Sequence, residues 1–365
     1  MKAVELKIHN FRSICDATIT LSNFNLLVGV NNAGKSTIID ALRAFYGKGV
    51  KFDQQKDFPC KGAQDQESWV EIEFKPSNEE LEQLKDEYKS SNGTFRVRNY
   101  FYSTGASKKA GLYAYVNGEL SEERFYGFKN VGQGEFGEII YIPAVSKIDE
   151  HTKLTGPSAL RDLINATLSK VVEKSDAYQE LHSSFSNFEN TVKLEETDEG
   201  YSLQSIESDI SDEIAEWGAQ FKLSVSPVGI DNIIKNLIQH ELFDESLGSK
   251  QEISSYGQGF QRSIIYALIK VAAKYTTKKI TAARKEFSPD LTWILFEEPE
   301  AFLHPTQISV LSKSLRQLSE GGSNQVLLST HNPLFATHNI QDLPSFCRLH
   351  RENHQSRVFK FPNRF

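Results

Sequence analysis

The sequence predicts an α/β fold, one discontinuous domain with a helical excursion, and three observations carry that reading. A short apolar strand, Leu26-Leu27-Val28, runs into Gly29-Val30-Asn31-Asn32-Ala33-Gly34-Lys35-Ser36-Thr37 and leaves through the apolar-periodic Ile38-Ile39-Asp40-Ala41-Leu42. Short strand-like runs fill residues 1–28 and 69–141, and buried-strand runs return after Ser254 between helical ones. Leu160 to about Trp217 reads instead as helix, with apolar residues at spacings of three and four. The 365 residues therefore divide into an N-terminal part of the main domain (1–148), a helical insertion (149–248) and a C-terminal part (249–365).

In chain order, Met1 to Asn10 alternates Val4, Leu6 and Ile8 with Glu5 and Lys7, which predicts a half-buried strand, and Thr18 to Leu21 is its antiparallel partner. Between them, Arg12 either reaches back to bound phosphates or is a solvated turn arginine. The stretch from Gly29 fits the phosphate-binding P-loop, Gly, four residues, then Gly-Lys-Ser, in the required strand-loop-helix context. Gly29 and Gly34 let the backbone curl until successive N–H groups face the β- and γ-phosphates. Lys35 supplies a cation, the Ser36 hydroxyl a place in a Mg²⁺ shell, and the helix start a partial positive charge. Asn31, Asn32 and Thr37 complete the expected nucleotide contacts.

Trp69 to Phe74, Thr94 to Ser103 and Tyr113 to Val116 alternate as strands, the last entering the hairpin turn Asn117-Gly118. Ser77 with Glu80 three residues on is a capping box that opens one short helix. Arg96, Arg98, Tyr100 and Tyr102 share one face of their strand, Phe95, Val97 and Phe101 the other. With Lys108 and Lys109, that polar face either grips a nucleic-acid backbone or is simply solvated, and the second reading is favoured. In the helical middle the spacing runs through Leu160, Leu163, Ile164, Leu168, Val171 and Val172, the acidic cluster Glu195–Gly200 breaks the helix in two, and Phe221 to Val225 returns to strand.

A second set of chemistry-bearing stretches follows. Ser254-Ser255-Tyr256-Gly257-Gln258-Gly259 opens a helix whose expected core face is Ile264, Ile265, Leu268 and Val271, and a Ser- and Gly-rich helix start is an anion site. The apolar Leu291–Phe296 ends in Glu297-Glu298-Pro299-Glu300; carboxylates at a strand end beside a P-loop hold Mg²⁺ and activate water, with Glu297 assigned to the metal and Glu298 to the general base. Glu300 and His304, four residues apart, form a structural pair or face a partner, and zinc is disfavoured for want of a third ligand nearby in sequence. Gln325–Thr330 is another buried strand, and the His331 that ends it is expected to sense the γ-phosphate and place the attacking water.

Together these motifs resemble an ABC-type ATPase head of the SMC/RecF group, and most closely the OLD (overcoming lysogenization defect) family. Gly29–Ser36 is similar to Walker A, Ser255–Gly259 to the signature motif, Ile294–Glu298 to Walker B and His331 to the switch histidine; Asn10-Phe11-Arg12-Ser13 and Glu297-Glu298-Pro299-Glu300 carry the OLD likeness. Two places depart from the pattern. Glu297 stands where many such proteins have aspartate, and only Gln54 or Gln55 is available as a Q-loop glutamine. The resemblance implies ATP and Mg²⁺ as cofactors, a P-loop head with an antiparallel β subdomain and a helical insertion, and a homodimer whose heads sandwich ATP. In that dimer Ser255, Gly257 and Gly259 would act in trans on the other head's nucleotide.

Composition narrows the function. A 39% hydrophobic, 24% charged chain is an ordinary globular one, with no apolar run near 18 residues and no N-terminal signal, so no membrane and a cytoplasmic location are expected. Three cysteines without disulfide or metal spacing agree with a reducing compartment, and the net charge of −7 confines any nucleic-acid contact to a local patch. The expected function is the ATPase module of a DNA-processing or anti-phage system, controlling a nuclease or nucleic-acid engagement. The alternative is an ATP-switched protein that sequesters a partner effector without touching DNA. OLD-like proteins commonly carry a TOPRIM nuclease domain, but no Asp-x-Asp pair occurs here, so cleavage by this chain alone is not expected. A transporter subunit is disfavoured, because the helical insertion does not resemble a membrane-docking surface.

Overall fold

The computed structural model describes residues 1–59, 61–104, 110–125, 136–144, 175–192, 194–223, 241–275, 289, 291–301, 303–320, 324–335 and 345–360. The first strands are β1 (Lys2–Phe11), β2 (Ile14–Thr20) and β3 (Phe24–Val28), and α1 (Lys35–Phe45) follows the P-loop. After the short α2 (Gln54–Asp57) come β4 (Ser68–Lys75), α3 (Asn78–Gln83), β5 (Phe95–Tyr102), β6 (Gly111–Val116), β7 (Glu119–Arg124) and β8 (Glu138–Ile142). α4 (Asp176–Thr191), α5 (Leu203–Glu213) and the small pair β9 (Leu242–Asp244) and β10 (Ser249–Gln251) make up the middle. The chain closes with α6 (Gln258–Tyr275), β11 (Thr292–Glu297), α7 (Pro305–Glu320), β12 (Asn324–Thr330), β13 (Phe346–Glu352) and β14 (Gln355–Lys360).

Two compact units result, Met1–Ile148 with Tyr256–Phe365, and Asp149–Ser255. The first holds two six-stranded sheets. One is antiparallel, in the order β2-β1-β4-β5-β6-β7; the other runs β14-β13-β3-β12-β11-β8, parallel except where β14 turns back on β13. β1 puts Leu6 and Ile8 inside as its alternation requires, and α1 buries Ile38, Ile39, Ala41, Leu42 and Phe45. α1 packs on β1 and β4 from one sheet and on β12 from the other. Gln325, 1% exposed, stitches the sheets: it accepts from the Ala3 N–H at 2.7 Å and donates to the Ala3 carbonyl at 2.9 Å. Trp293 is fully buried and donates to the Tyr46 hydroxyl at 3.1 Å, so the core's largest ring keeps its polar edge satisfied.

The Asn117-Gly118 turn forms with both residues at positive φ, and Ser77 and Glu80 make the reciprocal capping box. The arginine-tyrosine face of β5 is partly exposed, and its arginines are engaged within the sheet. Arg98 pairs with Glu71 at 2.7 Å, donates to the hydroxyls of Tyr100 and Tyr115 and lies over the Trp69 ring at 3.7 Å. Tyr100 is buried, and Arg96 lies over Tyr115. Glu71 is 2% exposed, so Arg98→Ala leaves a buried carboxylate without its main counter-charge. A loss of about 3–5 kcal/mol is expected in urea unfolding; a loss below about 1 kcal/mol would show the network to be ornamental.

In the second unit the helix does break between α4 and α5, across Glu195–Gly200. The Leu160–Val172 face and the Lys108-Lys109 pair lie outside the described residues. The strand expected from Phe221 does not form over residues 221–223. The Phe221 N–H donates to Ser211 Oγ at 3.0 Å and the Leu223 N–H to Glu207 at 2.8 Å, so α5 side chains take the donors a sheet would have used. On α6, Ile265 is buried and Ile264 and Leu268 are partly so, but Val271 is 39% exposed, so the expected core face ends a turn early. No helix among the described residues is long and apolar enough to cross a membrane.

Candidate nucleotide site

β3, β12 and β11 are neighbouring parallel strands, and their registers bring Val28 opposite Thr330 and Ser329 opposite Glu297. The P-loop, His331 and the glutamates therefore leave the same end of one sheet, which is how segments remote in sequence meet. Gly34 sits at φ +103°, and a Cβ there would collide with Ser356 Oγ and crowd Ser13, so only glycine fits. A Cβ on Gly29 would strike the Leu349 carbonyl. α1 begins at Gly34 with no side-chain cap, which leaves its first N–H groups to a ligand. Asn31, Asn32 and Ser36 are exposed along the loop, Asn32 in the left-handed region at φ +62°, and Thr37 is buried behind them.

Lys35 is 7% exposed, and its Nζ donates to the Gly29 and Val30 carbonyls at 3.0 and 3.2 Å. Burial draws the ammonium's pKa below its ordinary value, against the pull of Glu298, Glu300 and Glu297. The same Nζ lies 2.9 Å from His331 Nε2, and that nitrogen lies 3.2 Å from Glu298 Oε1. One ring nitrogen either offers its lone pair to the ammonium or carries a proton to the carboxylate, never both. The trio is therefore in competition until a phosphate takes up Lys35.

Glu297 faces the Ser36 hydroxyl within hydrogen-bond reach; burial, then Asp40 and Glu298, hold its carboxyl above the usual range, with Ser36 opposing. Tyr141 lies near Glu297, and its own pKa is pushed up to about 12, by burial first and then by the charge of Glu297. A hydroxyl and a carboxylate, both hard oxygen donors, fit Mg²⁺. No group of three or more His, Cys, Asp or Glu suited to a metal occurs among the described residues, so an ion at Ser36 and Glu297 would complete its shell with phosphate and water. Glu298, the assigned base, sits at φ +44°, an unfavourable conformation for a glutamate, pinned by its N–H to the Ser329 carbonyl at 2.8 Å. Glu300 and His304 do not pair. Glu300 Oε1 accepts from the Thr330 hydroxyl at 2.7 Å and from the His331 and Asn332 N–H groups at 2.8 and 3.2 Å, fixing the histidine's backbone, while His304 bonds Thr306.

Arg12 is held between two carboxylates. Its guanidinium donates to Asp40 on α1 at 2.5 Å and to Asp57 on α2 at 2.7 Å, bracing the helix behind the P-loop. Gln54 and Gln55 are exposed on that same short helix. Ser255 is exposed and donates to the Glu252 carbonyl at 2.7 Å. Gly257 is exposed with open space where a side chain would stand, and Gly259 lies in the first turn of α6 beside the Tyr256–Phe260 ring pair. Ser13, Tyr141 and Ser356 complete the site, the last two without having drawn notice in the sequence.

The AAA ATPase domain model matches residues 1–101 and 60–336. The Old nuclease of Escherichia phage P2 is 26% identical over 352 residues, and Endonuclease GajA of Bacillus cereus 23% over 357; each alignment takes in 91% of this chain. The chain spans 56% of the length of either relative. Among solved structures, an SMC head bound to the C-terminal winged-helix domain of ScpA superposes with a TM-score of 0.51 at 14% identity, covering 100% of this chain and 98% of that one, a likeness of fold.

Proposed function

Because this chain belongs to the AAA ATPase domain family, as an OLD-type ATPase of the SMC/RecF group, we propose that it binds and hydrolyses ATP with Mg²⁺ and uses the cycle to join two heads and control a nuclease or nucleic-acid engagement. One observation carries the reading: Lys35, Ser36, Glu297, Glu298 and His331 converge at the ends of three adjacent parallel strands. Ser36 and Glu297 would hold Mg²⁺, which when bound neutralises charge on the phosphate oxygens. Lys35 and the bare N–H groups of α1 bind the phosphates. Glu298 is the base that takes a proton from water, and His331, its backbone fixed by Glu300, orients that water.

The names of both relatives support a nuclease context, and cleavage itself is not assigned to this chain. The internal engagement of Arg98 weakens the case for the β5 face as the nucleic-acid surface and supports the alternative of partner sequestration unless another surface serves. Phosphate release by the purified chain is the test. Turnover on the order of 0.1–10 s⁻¹ that saturates with ATP and stops when Mg²⁺ is chelated is expected. Release indifferent to chelation would overturn the assignment of Ser36 and Glu297.

A further inference from the structure

The exposed face of the β13–β14 hairpin is unused by the nucleotide chemistry. Arg348 stands opposite Phe359 and His350 opposite Arg357, and opposed residues of an antiparallel pair share a face. All four are exposed, Phe359 by 51%, while Cys347, Leu349 and Ser356 on the other face are buried. On this face Arg348, Arg357 and His350 stand against the single carboxylate Glu352 in a chain of net charge −7. Glu352 meets Arg357 at 3.4 Å with both side chains more than half exposed, a contact a polyanion readily displaces. Arg348 and His350 also wall a cavity of about 410 Å³ together with Gly29, Val30 and His331.

Cations alone would serve to guard a sheet edge. A half-exposed phenyl ring set among them does not, since it adds an apolar surface that invites association. Arginines around an aromatic ring are instead the chemistry that takes phosphates and a base together. We propose that this face binds single-stranded nucleic acid, Arg348, His350 and Arg357 holding backbone phosphates and Phe359 stacking on a base. The assignment rests on the nucleic-acid arm of the proposed function and gives it a location.

Fluorescence anisotropy of a labelled single-stranded DNA oligonucleotide, titrated with the full chain over a salt series with and without ATP, tests it. Arg348→Ala and Arg357→Ala are each expected to weaken binding several-fold and to flatten the log–log salt slope by about 0.7. Phe359→Ala should weaken it about tenfold with the slope unchanged. Fluorescent-ATP affinity should match the unsubstituted chain in Arg357→Ala and Phe359→Ala, which lie outside the P-loop cavity, and the far-ultraviolet spectrum should match in all three. If the unsubstituted chain binds DNA and the variants keep its affinity and slope, the hairpin assignment falls while the nucleic-acid reading stands. If the unsubstituted chain shows no salt-dependent binding, both fall.

Discussion

Lys35→Ala is expected to weaken ATP binding about a hundredfold or more while the fold survives. The ammonium is the cation that the strand-end geometry sets beneath the phosphates, held by the Gly29 and Val30 carbonyls and faced by Glu297, Glu298 and Glu300. Two charge-assisted hydrogen bonds at about 1.5–3 kcal/mol each already account for a hundredfold change. Removing the cation also leaves three carboxylates to repel a triphosphate. Stability should move little, since burial disfavours the charged lysine, and losing that cost offsets the lost contacts. Lys35→Arg should fail as well, because a planar fork cannot enter a pocket shaped by two carbonyls for a compact ammonium. Fluorescent-ATP titration beside nucleotide-free melting curves checks both halves, and an unchanged affinity would remove the basis of the nucleotide assignment.

How much of this could be read from the chain differs from residue to residue. The P-loop, the strand ending at Glu297 and the strand ending at His331 are local text, an apolar run followed by polar residues, and parallel registry does the rest. The meeting of Ser13 and Ser356 at Gly34 was invisible because it depends on β14 lying beside β2, and the β13–β14 turn has no Asn-Gly signal. Asn353 and His354 adopt the left-handed conformation there instead. The face of β5 was readable by alternation, but the partners of Arg98 come from β4 and β6, and cross-strand register is not written in either strand. The partner of Arg12 was hidden for a similar reason: Asp57 lies on a helix of four residues too short to predict. Long-range pairing, not local propensity, separates what was legible from what was not.

Glu298→Gln with ATP and Mg²⁺ should slow hydrolysis about 10²–10³-fold and hold the chain as a dimer. The amide keeps the size of the side chain but cannot accept the water's proton, and it removes a negative charge from beside the nucleotide. The complex then persists long enough for a second head to close on it. The exposed start of α6 is suited to that role. Gly257 has open space where a side chain would stand, so its N–H can approach a phosphate presented by another copy. Shifting the monomer–dimer balance from about 1:99 to 99:1 needs about 5.5 kcal/mol, within reach of two to four charge-assisted hydrogen bonds. Light scattering should therefore report one chain without nucleotide and two with ATP. Adding Gly257→Asp places a carboxylate where nothing obstructs it, so folding and ATP binding should be retained while dimer is lost by charge repulsion. A mass that ignores ATP would refute the sandwich, and a dimer that survives Gly257→Asp would show that the heads join through some other surface.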